Sequence, residues 1–370
     1  MSELPESSSV AKTERTPLRS EAEKMGQAEG TSLLTRSLVA LFVVAGVAIS
    51  WACATQFSKS ALDLDPAKFY APYSMVWFGT CFMTVCYPVY LLYAVIVGKE
   101  SFSKAHEEAL EVFGSRTFNI FGFLVRVFPF LILWIGANYS YSQGLGHISA
   151  SAASAIMSSN VAMVCVLSWI LLKEKVDPLQ VIAVFAAIGG VVVISLDDEY
   201  AGNIVGVILV IVSASFAAFY KIMFKKLIGD ASLGQVSIFM SGLGLLNTIF
   251  NIVPTVILVW TKADRIDWNY VPWWALAGSA VLSLLFNFLV NFGIALLNPL
   301  IISIGMLCGI PVSTLIDIVF RDLDPTLKFI LGASLILLSF VLCAFPLREF
   351  FKKLTKGSKT SYNVTDSIVP

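Results

Sequence analysis

Long apolar stretches separated by short polar segments dominate the pattern of this chain. Each stretch runs to about 20 residues or more, the length that an α-helix needs to cross the hydrocarbon of a bilayer. The pattern predicts ten transmembrane helices, at residues 36–58, 71–96, 119–145, 148–172, 178–196, 203–225, 232–261, 272–297, 299–320 and 326–350.

A repeated Asp-Pro dipeptide divides these helices into two sets. Asp177-Pro178 and Asp324-Pro325 lie 147 residues apart, and an apolar stretch follows each of them. Internal duplication is typical of carriers rather than of enzymes. The predicted fold is therefore an all-α polytopic membrane protein with ten transmembrane helices in two inverted five-helix repeats, at 36–198 and 199–350.

Composition supports a membrane location. Hydrophobic residues make up 57% of the chain and charged residues 14%, and the mean hydropathy is +0.81. A soluble protein of this size needs a larger polar surface, so we expect the lipid bilayer to surround most of the chain. The net charge of zero argues against a nucleic-acid partner.

The two ends differ from the apolar body. Residues 1–35 are rich in Ser, Glu, Lys and Thr and predict a disordered tail, and 351–370 predict a second tail. With both tails in the cytosol, eighteen Lys and Arg residues fall on the cytosolic side and six on the opposite side. The positive-inside rule therefore favours cytosolic tails. The pattern leaves open whether the membrane is the plasma membrane or an endomembrane, and it does not predict an oligomeric state.

Several kinds of chemistry have no support in the sequence. All six cysteines lie inside predicted spans, and neither His106 nor His147 belongs to a metal-ligand motif. Phosphate-binding loops, nucleophile elbows and zinc-protease motifs are also missing from the sequence. We therefore expect no metal, no cofactor and no enzymatic activity, and we expect any transport to be secondary.

Polar residues inside the spans are the candidate substrate-binding groups, because an unpaired polar group in hydrocarbon costs several kcal/mol. Tyr139 and Gln143 lie four residues apart on one face of the third span, and Asn287 and Asn291 repeat that spacing in the eighth. We call each of these two pairs a polar stripe. With the 147-residue offset between the predicted repeats, the two stripes lie at nearly equivalent positions, as a cavity shared by both repeats requires. The alternative is that these groups join neighbouring helices by hydrogen bonds.

Aromatic and charged residues complete the candidate pathway. Trp51, Tyr139 and Tyr220 offer ring faces that attract cations. Arg126, Lys221 and Asp317 are charged groups within or near the ends of spans, and such groups are functional candidates by default. For Lys221, near a span end, snorkelling to the membrane surface is an equal alternative.

Specific motifs connect these residues to a known family. The motifs Ala54-Thr55-Gln56-Phe57, Phe69-Tyr70-Ala71-Pro72 and Pro88-Val89-Tyr90 resemble solute carrier family 35, subfamily F, within the drug/metabolite transporter superfamily. The run Ser213-Ala214-Ser215 with Tyr220-Lys221 resembles the branch of that subfamily that is associated with thiamine transport. The resemblance covers residues 36–350.

This resemblance implies a small-molecule substrate, with thiamine as the first expectation. A thiazolium cation would contact Trp51, Tyr139 and Tyr220. The acidic neighbour would be Asp317 or Glu174, and the amide partners would be Gln143, Asn287 and Asn291. Gln56 of the first motif and Asn160 of the fourth span complete the candidate substrate-binding set.

Two alternatives remain open. Arg126 and Lys221 would suit a nucleotide sugar or another phosphorylated metabolite, moved by an antiporter. A non-transporting membrane scaffold is the other alternative, suggested by Glu29 with Leu33-Leu34, which resemble an acidic dileucine sorting signal.

Overall fold

The structure is a computed structural model that describes residues 41–173, 176, 178–198, 203–229, 231–296 and 299–344. Of 291–296, 299–304 and 343–344 it describes the backbone alone. Both predicted tails lie outside the described residues, and so does Asp177 of the repeated Asp-Pro dipeptide. The chain divides after Phe42 into two units, of which the second is Val43–Pro370.

The described part of the chain is almost entirely helical. Its helices are α1 (Leu41–Asp63), α2 (Pro72–Ile96), α3 (Phe102–Leu110), α4 (Ile120–Leu145), α5 (Ala150–Leu171), α6 (Pro178–Ser195), α7 (Ile204–Leu227), α8 (Leu233–Phe250), α9 (Ile252–Trp260), α10 (Trp273–Leu296), α11 (Pro299–Arg321) and α12 (Leu327–Ala344). A 3₁₀ turn at Phe82–Val85 interrupts α2, and a turn at Ser159 interrupts α5.

The polytopic membrane class predicted from the sequence is confirmed. Within the described residues, eight helices are long and apolar enough to span a membrane: α1, α2, α4, α5, α6, α7, α8 and the Trp273–Val290 part of α10. The shorter apolar helix Leu327–Leu342 lies within α12. The count of ten spans and their grouping in two inverted repeats stay predictions.

Side-chain caps explain where several helices begin. The Asn119 side chain accepts hydrogen bonds from the first turn of α4, and Ser149 does the same for α5. Ser232 and Gln235 form a reciprocal capping box at the start of α8. Because the first backbone N–H groups of a helix have no partner within it, these caps fix the starts of the spans.

One short helix lies where the sequence analysis placed only a connection between the second and third spans. Helix α3 and the 3₁₀ turn after it bury Leu110, Val112 and Phe113 against α4 and α8. Gly114 ends this segment with a φ of 93°, a left-handed conformation that favours glycine. The 102–113 segment is therefore a packed part of the membrane protein.

The only sheet among the described residues is a two-stranded ribbon between distant loops. Strand β1 (Phe69–Tyr70) pairs antiparallel with β2 (Arg265–Ile266), and Phe69 faces Ile266 across the ladder. The ribbon joins the connection between α1 and α2 to the connection between α9 and α10. It therefore ties two parts of the chain that are almost 200 residues apart.

Candidate functional site

A cavity between α1, α2, α4 and α10 is the candidate site. It contains about 850 Å³ of empty space, part of it open to the surroundings. Its wall is formed by Trp51, Ala54, Thr55 and Ser58 of α1; Met75, Val76, Gly79, Thr80 and Met83 of α2; Trp134, Asn138, Tyr141 and Ser142 of α4; and Leu276, Ser279, Ala280, Ser283, Phe286 and Asn287 of α10.

Aromatic rings form one side of this wall. The Trp51 ring lies 5.7 Å from the ring of Tyr141 and 5.0 Å from that of Phe286, measured between centroids. Trp134 is held in place because its indole N–H donates to the Thr80 hydroxyl over 3.2 Å. The cavity thus presents a preorganised aromatic surface.

Neutral polar groups fill much of the remaining wall. The hydroxyls of Ser58 and Ser279 are 2.6 Å apart and connect α1 to α10. The hydroxyls of Thr55 and Tyr141 are 3.3 Å apart and connect α1 to α4. None of the wall residues that the structure describes carries a formal charge.

A packed roof covers one end of the cavity. It consists of the β1–β2 ribbon and an apolar cluster of Ala61, Phe69, Ala71, Ala275 and Leu276, with Met75 packed against the cluster. Met75 and Leu276 also belong to the cavity wall. The roof therefore packs against the part of the wall that Met75 and Leu276 form, on the side that the sequence predicts to be opposite the cytosol.

A network of charged and polar groups joins the helices beside this roof. The Asp317 carboxylate is completely buried. It accepts hydrogen bonds from the Gln56 amide over 2.7 Å and from the Ser151 backbone N–H over 2.9 Å. Arg321 lies 3.3 Å from the same carboxylate, and it also pairs with Asp63 over 3.0 Å. These contacts join α1, α11 and the start of α5.

A lysine adds a further link on the same side. The Lys59 ammonium donates to the Leu145 carbonyl at the end of α4 over 2.7 Å, and it pairs with Asp63 over 3.0 Å. On α1, Lys59 directly follows the wall residue Ser58, and Asp63 lies more than one turn beyond it. The ends of α1 and α4 are thus held together just beyond the cavity.

The predicted residues Trp51 and Asn287 line the cavity. Gln56 and Asp317 lie in the network beside the roof. The Asn291 side chain lies outside the described residues. Of the predicted site residues that the structure describes, Trp51 and Asn287 are thus the two in the wall.

Tyr139 and Gln143 lie on the neighbouring face of α4. The Gln143 amide donates to the Tyr139 hydroxyl over 3.1 Å and accepts from the Tyr70 hydroxyl over 3.0 Å. Burial raises the pKa of the Tyr70 phenol, so its hydroxyl stays protonated and able to donate. This stripe connects α4 to the ribbon and does not contribute to the cavity wall.

The other predicted residues have partners away from the cavity. Lys221 donates to the Asn160 amide oxygen over 3.0 Å. Arg126 donates to the Val112 carbonyl at the end of the 102–113 segment. Tyr220 packs with its ring centroid 5.8 Å from that of Trp134, behind the wall.

The structure adds wall residues that were not among the predicted site residues. Asn138, Tyr141 and Ser142 form a face of α4 about a quarter turn or more from the predicted stripe, and α2 contributes an entire side. Asn138 and Tyr141 were visible in the sequence as polar neighbours of the stripe. The wall residues of α2 could not be predicted from a polar pattern, because Thr80 is the only one of them with a hydrogen-bonding side chain.

Comparisons with known proteins agree with this architecture. Residues 38–196 match the EamA-like transporter family. The chain is 34% identical to human solute carrier family 35 member F3 over 305 residues, which is 80% of this chain and 72% of that protein. It is also 34% identical to mouse solute carrier family 35 member F4 over 322 residues, 85% of this chain and 65% of that protein.

The helical membrane fold and these matches define a multi-pass membrane solute transporter. More narrowly, the chain belongs to solute carrier family 35, with members F3 and F4 of its F group as relatives. The family resemblance that the motifs indicated is thereby confirmed.

Proposed function

We propose that this protein is a secondary transporter that moves thiamine across a membrane by alternating access through the cavity between α1, α2, α4 and α10. The observation that carries the proposal is the chemistry of the wall, which combines the rings of Trp51, Trp134, Tyr141 and Phe286 with neutral hydrogen-bonding groups. Alternating access requires that the roof opens when the opposite end closes.

The two rings of thiamine, a thiazolium and an aminopyrimidine, each have suitable partners among the wall residues. Its thiazolium ring carries a permanent positive charge, and a cation over an aromatic face gains about 0.5–2 kcal/mol per ring. Its aminopyrimidine offers N–H donors and ring-nitrogen acceptors, which the hydroxyls and amides of the wall can satisfy. A neutral wall also avoids the repulsion that a lysine or arginine would exert on the cation.

A phosphorylated substrate has less support. Nucleotide sugars carry negative phosphates, which favour Arg and Lys partners. Arg126 and Lys221 are bonded to Val112 and Asn160 away from the wall. Arg321 is held by the carboxylates of Asp63 and Asp317.

Uptake into vesicles that contain the purified full-length chain tests the proposal. We expect labelled thiamine to accumulate above the level of protein-free vesicles, and an excess of unlabelled thiamine to suppress that accumulation. A nucleotide sugar at the same concentration should leave it unchanged. Equal inhibition by the nucleotide sugar, or uptake no greater than in empty vesicles, would overturn the thiamine assignment.

The aromatic wall gives a matched pair of variants. Trp51→Leu removes the ring and should reduce thiamine uptake about tenfold, equivalent to about 1.4 kcal/mol of binding. Trp51→Phe keeps a ring and should retain most of the uptake. Trp268→Leu changes an exposed tryptophan outside the cavity and serves as the control. The account is contradicted if Trp51→Leu transports as well as the control variant.

A further inference from the structure

Two asparagines of the cavity wall have amide groups with a fixed orientation. The Asn138 Nδ2 atom donates to the Trp134 carbonyl over 2.8 Å, and the Asn287 Nδ2 atom donates to the Ser283 carbonyl over 2.8 Å. A carbonyl oxygen can only accept, so the amide nitrogen must face it in both cases. Each amide is therefore tied to its own helix by its nitrogen.

The amide oxygens are consequently left for a ligand. Neither Oδ1 atom makes a hydrogen bond with another residue in the described part of the chain. One oxygen comes from α4 and the other from α10, and both residues line the same cavity. A carbonyl-type oxygen has two lone pairs, so the two residues form a pair of strong acceptors at the site.

Several other polar groups of the wall are already engaged. The hydroxyls of Ser58 and Ser279 bond to each other, and so do those of Thr55 and Tyr141. The Trp134 indole is bonded to Thr80. The Trp51 indole N–H and the second N–H of each asparagine amide make no hydrogen bond among the described residues, so the groups left for a ligand include two acceptor oxygens and three N–H donors.

We infer that Asn138 and Asn287 determine substrate specificity by accepting hydrogen bonds from an amino group on a heteroaromatic ligand. The inference rests on the proposed transport function and adds to it the feature of the substrate that the site selects. An oxo group in place of the amino group turns a donor into an acceptor. Its oxygen would then face an amide oxygen, and a site that loses such a bond discriminates strongly.

Ligand pairs that differ in this group, and in the proton that the neighbouring ring nitrogen carries in the oxo form, test the inference. The pairs are thiamine and oxythiamine, cytosine and uracil, and adenine and hypoxanthine, where the first member of each has the amino group and the second an oxo group. Binding to the purified full-length chain is measured by quenching of tryptophan fluorescence. We expect the amino member to bind about tenfold more tightly in each pair that binds at all.

Variants locate the source of this preference. Asn138→Leu and Asn287→Leu remove the acceptors at similar volume and should each reduce the preference to about threefold or less, because one neutral hydrogen bond is worth about fivefold in affinity. Asn269→Leu alters an exposed asparagine outside the cavity and should leave the preference unchanged. A melting curve of each variant verifies that it is folded.

The outcomes separate this inference from the thiamine proposal. Equal binding of amino and oxo members by the unaltered protein would overturn the inference, whether or not the variants fold. An unchanged preference in both folded leucine variants would overturn it as well. If the cytosine or adenine pair shows the preference while thiamine neither binds nor accumulates, the thiamine assignment fails and the inference stands.

Discussion

Asp317 illustrates how a single residue acquires its role from neighbours that are distant in the sequence. The sequence indicates only a charged group near the end of a span. In the structure the carboxylate is fully buried and surrounded by donors from Gln56, Ser151 and Arg321. These three partners come from α1, α5 and α11, so we expect Asp317 to hold the helices beside the roof together.

Neutralising this carboxylate should weaken the fold. Asp317→Asn replaces an accepting oxygen with an N–H₂ group that faces other donors, and it leaves Arg321 without its buried partner. We expect a loss of about 3 kcal/mol in the free energy of unfolding, measured by denaturant titration in detergent.

A neighbouring residue gives the matched control for this change. Asp63 also pairs with Arg321, but it is far more exposed than Asp317. Asp63→Asn should therefore cost about 1 kcal/mol or less. Equal losses for the two variants would contradict the role assigned to Asp317.

Individual candidate binding residues could be predicted from the sequence, but which of them lie together in the cavity wall could not. Trp51 and Asn287 could be predicted because an indole and an amide inside apolar spans are conspicuous. Tyr139 and Gln143 are equally conspicuous, yet they lie on a different face of α4 from Asn138 and Tyr141. The rotation of a helix about its axis depends on its neighbours, and a single span does not encode it.

At the scale of elements, the crossing of α6 and α12 depends on two glycines. A Cβ atom at Gly190 would lie 2.6 Å from the Gly332 carbonyl oxygen, and one at Gly332 would lie 2.5 Å from Ile194. Small residues at such positions allow helix backbones in membranes to approach closely. We infer that this contact fixes the two helices against each other.

Adjacent glycines allow a sharp test of that contact. Gly190→Ala should reduce stability by about 1–3 kcal/mol because the two helices must move apart. At Gly189 the added Cβ would meet only Leu335, at 3.9 Å. Gly189→Ala should therefore be neutral or stabilising, as alanine favours helix. Melting temperatures of the two purified variants compare them directly, and equal destabilisation would contradict the account.

The positions of the spans follow from the sequence, whereas the interruptions within them do not. Helices α2, α4, α5 and α6 begin and end within two residues of prediction, because an apolar stretch of fixed length defines a span. The turn at Asn251 divides the predicted 232–261 span into α8 and α9. The 102–113 segment was missed because its helix is short and mostly polar.

At the scale of the whole molecule, the proposed transport requires a cavity that opens to each side in turn. Its wall brings together α1 and α10, whose contacting serines are 221 residues apart in the chain. We propose that the two predicted repeats, 36–198 and 199–350, move relative to each other around this cavity. The roof and its charged network would then open and close with each cycle.

The most direct test joins α1 to α10 covalently across the cavity. Ser58 and Ser279 have hydroxyl oxygens 2.6 Å apart, so cysteines at both positions are placed to form a disulfide. The six native cysteines are first replaced by alanine, and uptake by that background and by each single cysteine variant provides the controls. The account predicts that oxidation of the double variant reduces thiamine uptake to the level of protein-free vesicles and that a reductant restores it. Undiminished uptake with the disulfide fully formed would contradict the claim that substrate passes through this cavity.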